Sequence, residues 1–205
     1  MVFNGWAASI EAWSLCTFRR DAIFSYVDQL DGLPERFILV GWSMGGSSAL
    51  RLACRYHANI AGMVLVAATP RMMEDKAAGW RGMSPRRLDA LHHGLLLTHG
   101  EGFFGVPEGR PNPYQIDSDE NLLRGLQYLL ETDLRADLER IAPAMRFPVA
   151  IFQSEHDGIV RPANAAYLKG LFPHAAMTMV PGAEHALPVS IPDVIDAAVA
   201  PWQHR

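Results

Sequence analysis

A serine between two glycines is the first feature of the chain that could do chemistry. The stretch GWSMG, residues 41–45, has the spacing G-x-S-x-G, between the apolar run Phe37–Val40 and the helical pattern Ser47–Tyr56. On a tight strand-to-helix turn such a serine projects its hydroxyl as a nucleophile, and glycines keep side chains out of the turn. The alternative is a purely structural role, in which small residues form a loop between a strand and a helix. The flanking patterns favour Ser43 as a catalytic nucleophile.

A serine hydroxyl reacts well only when a nearby base removes its proton. Around this kind of turn, the chain order is serine, then acid, then histidine. Of the eight histidines, His185 follows the last apolar strand pattern and precedes the final helical pattern. We therefore predict that His185 is the base, with a histidine that merely packs its loop as the alternative.

The acid should follow the preceding strand pattern, Val149–Phe152. The next residues, SEHDGIVRP, offer Glu155 and Asp157. A small residue and apolar Val160 follow the second carboxylate before a helix begins, and this favours Asp157. Its predicted task is to hold the tautomer of the histidine and to stabilise the imidazolium. Glu155 is then a solvated neighbour.

An oxyanion that forms at the serine needs hydrogen-bond donors. The backbone N–H of Met44, at the start of the helix behind the serine, is the first candidate. The second is the N–H of Trp6 in FNGWAAS, where Gly5 permits close approach. The alternative for Trp6 is a packing residue in a turn after an edge strand. This chemistry requires no metal and no cofactor, so we expect none.

Composition limits the class of protein and its partners. The chain has 205 residues, 49% of them hydrophobic and 20% charged, which suits one globular domain. A net charge of −4 argues against nucleic acid as a partner. Cys16 and Cys54 have no disulfide-framework spacing, so we expect free thiols in a reducing compartment. With neither a leader pattern nor a membrane-length apolar run, we expect a cytoplasmic protein without a membrane partner.

Short apolar runs alternate with helical patterns along much of the chain. The strand candidates are Val2–Phe3, Phe37–Val40, Met63–Ala67, Val149–Phe152 and Met177–Val180, and the helix candidates between or after them are Ser47–Tyr56, Pro162–Leu171 and Val189–Ala200. Continuous apolar strands separated by helices predict an α/β fold with a mostly parallel sheet and helices on both faces.

The segment Asp21–Leu30 is ambiguous. Phe24, Val27 and Leu30 have helical spacing, which favours a helix, whereas AIFSYV could form a short strand.

Residues 71–145 interrupt the alternation with three helical patterns and no clear strand. The first begins at Ser84 as N-cap with Pro85 in first position, and the third is capped by Thr132 or Asp133. The second lies in DSDENLLRGLQYLLE, after a Gly- and Pro-rich stretch, residues 100–115, that we expect to be a mobile loop.

A helical insertion between the two halves of such a sheet predicts a lid over a site at the strand ends. The predicted domains are therefore a core, residues 1–70 and 146–205, and a helical lid, residues 71–145.

With these residues placed, the chain resembles the α/β-hydrolase superfamily over nearly its whole length. More narrowly it is similar to the family of esterases that cleave pimeloyl-[acyl-carrier protein] methyl ester in biotin synthesis. The similarity lies in NGWAASIEAW, LVGWSMGG, MVLVAATP with GWRGMSP, and GLQYLLETDLRADL. It implies a catalytic triad of Ser43, Asp157 and His185 and an oxyanion hole from Trp6 and Met44. It also implies an acyl channel lined by Trp6 and Trp42.

The chain departs from that family's pattern in several places. Asn4 stands where the family has histidine before the oxyanion glycine. Two N-terminal strands of the family, and the usual strand between Trp13 and the serine turn, have no counterpart. We therefore expect a reduced sheet of about five or six strands. Residues 103–115 do not match the family's substrate-contacting stretch.

The predicted lid offers two kinds of contact. Phe103 and Phe104, with Leu91, Leu95 and Leu96, form either the roof of an acyl channel or helix-packing core, and core is favoured. The resemblance implies that lid arginines bind an acidic acyl-carrier protein, whereas the alternative is a solvated helix face. The candidate contacts for the carrier protein are Arg81, Arg86, Arg87 and Arg124.

Together these residues predict a serine carboxylesterase that acts through an acyl-enzyme. The resemblance implies that its substrate is the methyl ester of pimeloyl-[acyl-carrier protein]. Two alternatives stay open. One is a broader short-chain esterase or lactonase on the same residues, and the other is a ligand-binding relative without catalysis.

Overall fold

Six parallel strands form one sheet in the computed structural model, which describes residues 1–24, 33–100, 105–115 and 118–203. The strands are β1 (Val2–Phe3), β2 (Ile23–Phe24), β3 (Phe37–Trp42), β4 (Ile60–Val66), β5 (Val149–Ser154) and β6 (Ala176–Val180). Their order across the sheet is β2-β1-β3-β4-β5-β6. This arrangement confirms the predicted α/β class and the predicted size of the sheet.

Seven α-helices surround the sheet in the described ranges. They are α1 (Met44–Tyr56), α2 (Pro85–Thr98), α3 (Asp119–Glu131), α4 (Arg135–Ile141), α5 (Pro162–Leu171), α6 (Leu187–Ser190) and α7 (Pro192–Gln203). Short 3-10 turns occur at Ile10–Trp13, His57–Asn59 and Ala142–Ala144. None of the helices in these ranges has the length and apolar character that crossing a bilayer requires.

The central strands β3 and β4 are apolar because helices cover both of their faces. Side chains alternate along each strand, so Leu39 of β3 packs in one core with α1, α4 and α5. The next residue, Val40, packs on the opposite face with Ile195 and Val199 of α7. Every residue of β4 is buried. This double coverage fixes the strands firmly, and truncation of a buried leucine here should cost about 2–5 kcal/mol.

The segment around β2 corrects one prediction. Ile23 and Phe24 pair in parallel with Val2 and Phe3, so the helix favoured over Asp21–Leu30 is wrong at these two residues. Strand pairing, together with stacking of Phe24 on Phe3 at 5.4 Å, outweighs the helical spacing. Residues 25–30 of that segment lie outside the described residues.

The ends of several elements also differ from the predictions. Helix α1 begins at Met44, immediately after the serine, rather than at Ser47. Strand β3 runs on to Trp42, so strand and helix are separated by the serine alone.

The caps of the helices between β4 and β5 agree with the predictions in α2 but not in α4. Ser84 is the N-cap of α2, and its hydroxyl accepts a hydrogen bond from Arg87 N, as expected. The N-cap of α4 is Leu134 rather than Thr132 or Asp133. The Asp133 carboxylate still accepts a hydrogen bond from Arg135 N, at 3.2 Å, but it is chiefly engaged by arginine side chains.

An ion-pair network links the segment after β4 to the start of α4. Arg135 Nη2 lies 2.7 Å from Asp75 Oδ2 and 2.8 Å from Asp133 Oδ2. Arg71 also pairs with Asp133, and the Arg135 guanidinium lies over the ring of Trp80 at 5.4 Å. The hydrogen bond from Arg135 lowers the pKa of Asp133 to about 2. The folded chain thus favours the charged form of this carboxylate.

This shift makes a stability prediction for Asp133→Asn. Because the pKa of Asp133 is lower in the folded than in the unfolded chain, its stabilisation is complete above about pH 4 and lost towards pH 2. We expect Asp133→Asn to lower the free energy of unfolding by about 1–2 kcal/mol at pH 7. Thermal unfolding of both proteins from pH 7 to pH 2 should show this difference shrinking in acid.

The exposed Asp137, which pairs only with Arg140 in the described residues, provides the control. Asp137→Asn should change the melting temperature little at any pH. A melting-temperature difference for Asp133→Asn that stays constant from pH 7 to pH 2 would contradict the assignment.

Candidate active site

The turn between β3 and α1 holds Ser43 in a strained backbone conformation. Its φ is 56° and its ψ is −119°, a region that costs an L-residue about 1–3 kcal/mol. Close backbone contacts maintain the turn. A Cβ on Gly41 would lie 2.4 Å from Gly45 O, and one on Gly45 would lie 2.1 Å from Phe3 O. Any side chain at Gly41 or Gly45 would therefore clash with neighbouring backbone, so both positions require glycine, as the motif predicts.

The structure brings the three predicted polar side chains together. Ser43 Oγ lies 2.9 Å from His185 Nε2, and His185 Nδ1 lies 2.8 Å from Asp157 Oδ2. In the neutral tautomer with its proton on Nδ1, the histidine donates to the carboxylate and accepts from the serine hydroxyl. All three residues are at most 5% exposed. This geometry provides a base on the serine and a carboxylate behind the base.

The fold explains why residues so far apart in the chain meet. Ser43, Asp157 and His185 follow the carboxyl ends of β3, β5 and β6 respectively. In a parallel sheet these ends lie along one edge, which is where α/β folds place their ligand sites. The position of each residue after an apolar run was the signal in the sequence.

Hydrogen bonds fix the Asp157 carboxylate in one orientation. Its Oδ1 accepts from the backbone N–H groups of Ile159 and Val160 at 2.8 and 2.9 Å. Gln153 Nε2 lies 3.3 Å from Oδ2, on the oxygen that faces the histidine. Burial of the charge is thereby compensated by donors. Glu155, the rejected alternative, is exposed.

Gln153 was not identified from the sequence. It is fully buried near the carboxyl end of β5, and its amide also donates to Val160 O at 3.0 Å. A polar residue within a buried strand pattern was the available signal.

Trp42, the residue before the serine, orients the histidine. Its indole Nε1 donates to the backbone oxygen of His185 at 2.9 Å. The two rings lie 5.6 Å apart between centroids. The loop after β6 is thus attached to the end of β3.

The loop after β1 brings Trp6 beside the serine. Gly5 packs against Trp42, where a Cβ would approach the ring to 3.1 Å and Ser43 Cβ to 3.4 Å. Asn4 is buried, and its Oδ1 accepts a hydrogen bond of 2.6 Å from Trp13 Nε1. The N–H groups of Trp6 and Met44 have no backbone partner within the described ranges. Both amides are therefore available to a ligand next to Ser43.

A narrow pocket opens at the serine. Most of its lining is apolar, and both predicted tryptophans contribute to it. Helix α2 supplies Leu88, Leu91 and Leu95, of which Leu91 is half-buried and Leu95 buried. Leu96 is half-buried and is not among the lining residues. Phe103 and Phe104 lie outside the described residues. The lining residues are Gly5, Trp6, Trp42, Ser43, Met72, Met83, Leu88, Leu91, Leu95, Tyr114, Leu129, Ile159 and His185.

Helix α3 holds the Trp6 side chain. The indole Nε1 of Trp6 donates to Leu122 O at 2.9 Å. A Cβ on Gly125 would lie only 2.5 Å from Trp6 Cδ1, so the ring packs directly on the helix backbone. The contact between Gly125 and Trp6 is not among the predictions from the sequence. Its signal in the sequence is a glycine in the middle of an amphipathic helix.

The four arginines predicted to contact a carrier protein are all exposed. Arg81 and Arg87 line a surface groove with Arg161, beside Asp157 and Gly158. Arg87 Nη2 donates to Gly158 O at 2.7 Å. Arg86 and Arg124 are not among the residues that line this groove.

Known proteins similar to this chain include a protein family and several curated relatives. A profile of the alpha/beta hydrolase family matches residues 9–198. A pimeloyl-[acyl-carrier protein] methyl ester esterase from Nitrosospira multiformis is 30% identical over 178 residues, 78% of this chain and 66% of the relative. The enzyme of the same name from Nitrosomonas europaea is 27% identical over 202 residues, 85% of this chain and 76% of the relative. The chain thus spans about two thirds to three quarters of these relatives.

Solved structures share the fold at low sequence identity. An esterase from Exiguobacterium antarcticum matches with a TM-score of 0.67 at 20% identity, covering 82% of this chain and 66% of the other. A lipase-esterase related protein from Clostridium acetobutylicum has a TM-score of 0.68 at 13% identity, covering 98% and 93%. At these identities the likeness concerns the fold alone.

The contact between Gly125 and Trp6 makes a testable prediction. In Gly125→Ala, the new methyl group displaces the Trp6 ring, and the adjacent N–H moves with it. We expect the rate at which a fluorophosphonate labels Ser43 to fall by about tenfold or more, since a displacement of about 1 Å can cost 100-fold. The measurement is the second-order labelling rate.

Gly170→Ala in α5 is the matched control, because a Cβ there meets nothing within 4 Å. We expect it to leave the labelling rate unchanged and to stabilise the fold by about 0.4–1 kcal/mol. Equal labelling rates for the two variants would contradict a role for Gly125 in placing Trp6.

Proposed function

Because the chain belongs to the alpha/beta hydrolase family, we propose that it hydrolyses carboxylic esters through an acyl-enzyme on Ser43. The observation that carries this proposal is the continuous hydrogen-bonded path from Ser43 through His185 to Asp157 at the wall of an apolar cavity. A nucleophile, a base and an orienting carboxylate are the three groups that acyl transfer requires.

In the first half of the proposed reaction, Ser43 Oγ attacks the ester carbonyl while His185 Nε2 takes its proton. The carbonyl oxygen becomes an oxyanion, and the N–H groups of Met44 and Trp6 stabilise it. The start of α1 behind the serine adds a favourable field. The C–O bond to the alcohol then breaks, and His185 returns the proton to the leaving oxygen. The products of this half are the free alcohol and the acyl-serine.

In the second half, water attacks the acyl-serine carbonyl and gives its proton to His185 Nε2. The same two N–H groups hold the second oxyanion. The bond to Ser43 Oγ breaks, and the serine recovers its proton from the imidazolium. Asp157 remains ionised throughout and stabilises the imidazolium, which its fixed hydrogen bonds suit. The acid product leaves, and all three side chains return to their starting states.

The proposed substrate is the methyl ester of a pimeloyl group attached to acyl-carrier protein, in biotin synthesis. The names of the curated relatives support this choice. So does the cavity, because its largely apolar lining suits an aliphatic acyl chain. Trp6 and Trp42 would contact that chain beside the reacting carbon.

We assign residues 71–145 as a lid over the site. Helices α2 and α3 both lie in this range and both line the cavity, through Leu88, Leu91 and Leu95 from the first and Leu129 from the second. The exposed Arg81, Arg86, Arg87 and Arg124 of this lid would meet the acidic carrier protein. Charge complementarity of this kind accelerates association and weakens with added salt.

Turnover of one acyl ester in two forms tests the proposal. The methyl ester of pimeloyl-carrier protein and the same methyl ester without the carrier are offered to the wild type and to Ser43→Ala. We expect the wild type to release methanol from both and to favour the carrier-bound form, with a preference that high salt reduces. Ser43→Ala should release none.

The outcomes separate the alternatives. Hydrolysis of both forms with no preference would indicate a general short-chain esterase, and the carrier-protein assignment would be wrong. Folded wild-type protein that binds the ester and releases no methanol would indicate a binding protein instead of an enzyme.

A further inference from the structure

Three metal-ligating side chains cluster on the outer surface of helix α2. Asp89, His92 and His93 stand at positions i, i+3 and i+4, so both histidines neighbour Asp89 on the helix surface. Each residue offers one ligand atom, and these atoms lie within 4.8 Å of one another. The active-site chemistry uses none of the three. The cluster is thus a separate group of donors.

The donor set suits a borderline divalent ion such as Zn²⁺. Two imidazoles and one carboxylate are common zinc ligands, at about 2.0–2.2 Å, with a fourth position left for water. Tetrahedral ligand atoms at such distances lie about 3.4 Å apart, so a small rotation of the side chains closes the site. Asp89 and His93 can rotate, because their side chains are 68% and 66% exposed. His93 Nδ1 lies 3.6 Å from Asp89 Oδ1 and 2.9 Å from Asp89 O, a backbone hydrogen bond that ligation through Nδ1 would replace.

The cysteines are poor competitors for such an ion. Burial raises the pKa of the Cys16 thiol to about 12 and that of Cys54 to about 11. Zinc binds the thiolate form, which is scarce for both residues at neutral pH.

His92 connects this cluster to the active site. Its ring stacks on the indole of Trp6, with 6.2 Å between centroids and 25° between planes. Trp6 lines the cavity beside Ser43, and α2 contributes three leucines to the same cavity. An ion held by His92 would therefore sit next to the residue that carries a proposed oxyanion donor.

We propose that Asp89, His92 and His93 form a binding site for a divalent transition-metal ion of the zinc class and that the bound ion inhibits ester turnover. Ligation fixes the His92 ring over Trp6 and stiffens α2 where the acyl group enters the cavity. Because Trp6 carries a proposed oxyanion donor and α2 lines the cavity, the bound ion lowers kcat/KM for the ester. The binding site stands on the cluster alone, whereas the inhibition rests on the proposed function.

Zinc binding is tested on Ser43→Ala, which keeps the cluster and has no turnover. Calorimetric titration with ZnCl₂ should show one ion per chain. His92→Gln and His93→Gln should each weaken the affinity by about tenfold or more, at least the loss seen when an outer-shell partner is removed. The control is His99→Asn, an exposed histidine at the end of α2 whose φ of 50° asparagine readily adopts. It should bind zinc as strongly as the parent.

Inhibition is tested on the active chain, with His93→Gln as the variant because it leaves in place the His92 ring that stacks on Trp6. Zinc should lower kcat/KM for the ester several-fold in the wild type and in His99→Asn, and His93→Gln should need about tenfold or more zinc for the same effect.

The outcomes divide the two parts of the proposal. Absence of zinc binding, or binding that the His92 and His93 variants leave unchanged, overturns the site. Binding with an unchanged kcat/KM overturns the inhibition. A chain that binds zinc through the cluster but hydrolyses no ester overturns the proposed function and leaves the site standing.

Discussion

The turn at Ser43 is the constraint on which the rest of the site depends. A positive φ at a serine is stable only if its surroundings oppose relaxation. Here the backbone of Gly45 packs closely against Phe3, and Gly41 packs closely against Gly45. These contacts exist because β1, β3 and α1 are packed without side chains between them. The resulting geometry sets the hydroxyl against His185 Nε2 and leaves the N–H of Met44 at the head of α1. A larger residue at either glycine would disturb all of these positions together.

Around that turn, a polar network is built into an apolar interior. The Asp157 charge is buried, and it is stabilised by two backbone N–H groups, Gln153 and His185. The histidine is attached in turn to Trp42 through its own backbone oxygen. Because each partner is also held by the sheet, the network needs little reorganisation when charge develops, and preorganised donors of this kind are the main source of electrostatic stabilisation in enzymes. The helices between β4 and β5 join this network through Trp6, which rests on α3.

The sequence predicts those parts of the fold and of the site that leave a pattern among neighbouring residues of the chain. Apolar runs such as Val149–Phe152 identify buried strands, and the polar residues after them mark the edge where Asp157 and His185 meet. The helix predicted over Asp21–Leu30 is wrong at Ile23 and Phe24, because these two residues pair with Val2 and Phe3 in the sheet. The helical spacing of the segment does not reveal this pairing. The predicted N-cap of α4, Thr132 or Asp133, is wrong, because the Asp133 carboxylate binds the side chains of Arg71 and Arg135. Gln153, Gly125 and the Asn4–Trp13 hydrogen bond depend on contacts between elements, which spacing along the chain does not reveal.

The central claim is that the Asp157 carboxylate orients His185 for a proton transfer from Ser43. Its most direct test compares kcat for ester hydrolysis in Asp157→Asn and in Glu155→Gln, with both variants checked for folding by circular dichroism. We expect Asp157→Asn to lower kcat by about 10⁴-fold, because an amide favours the wrong imidazole tautomer. Glu155→Gln, which alters an exposed carboxylate two residues away, should retain the wild-type kcat. A folded Asp157→Asn protein that keeps more than about a tenth of the wild-type kcat would contradict the claim.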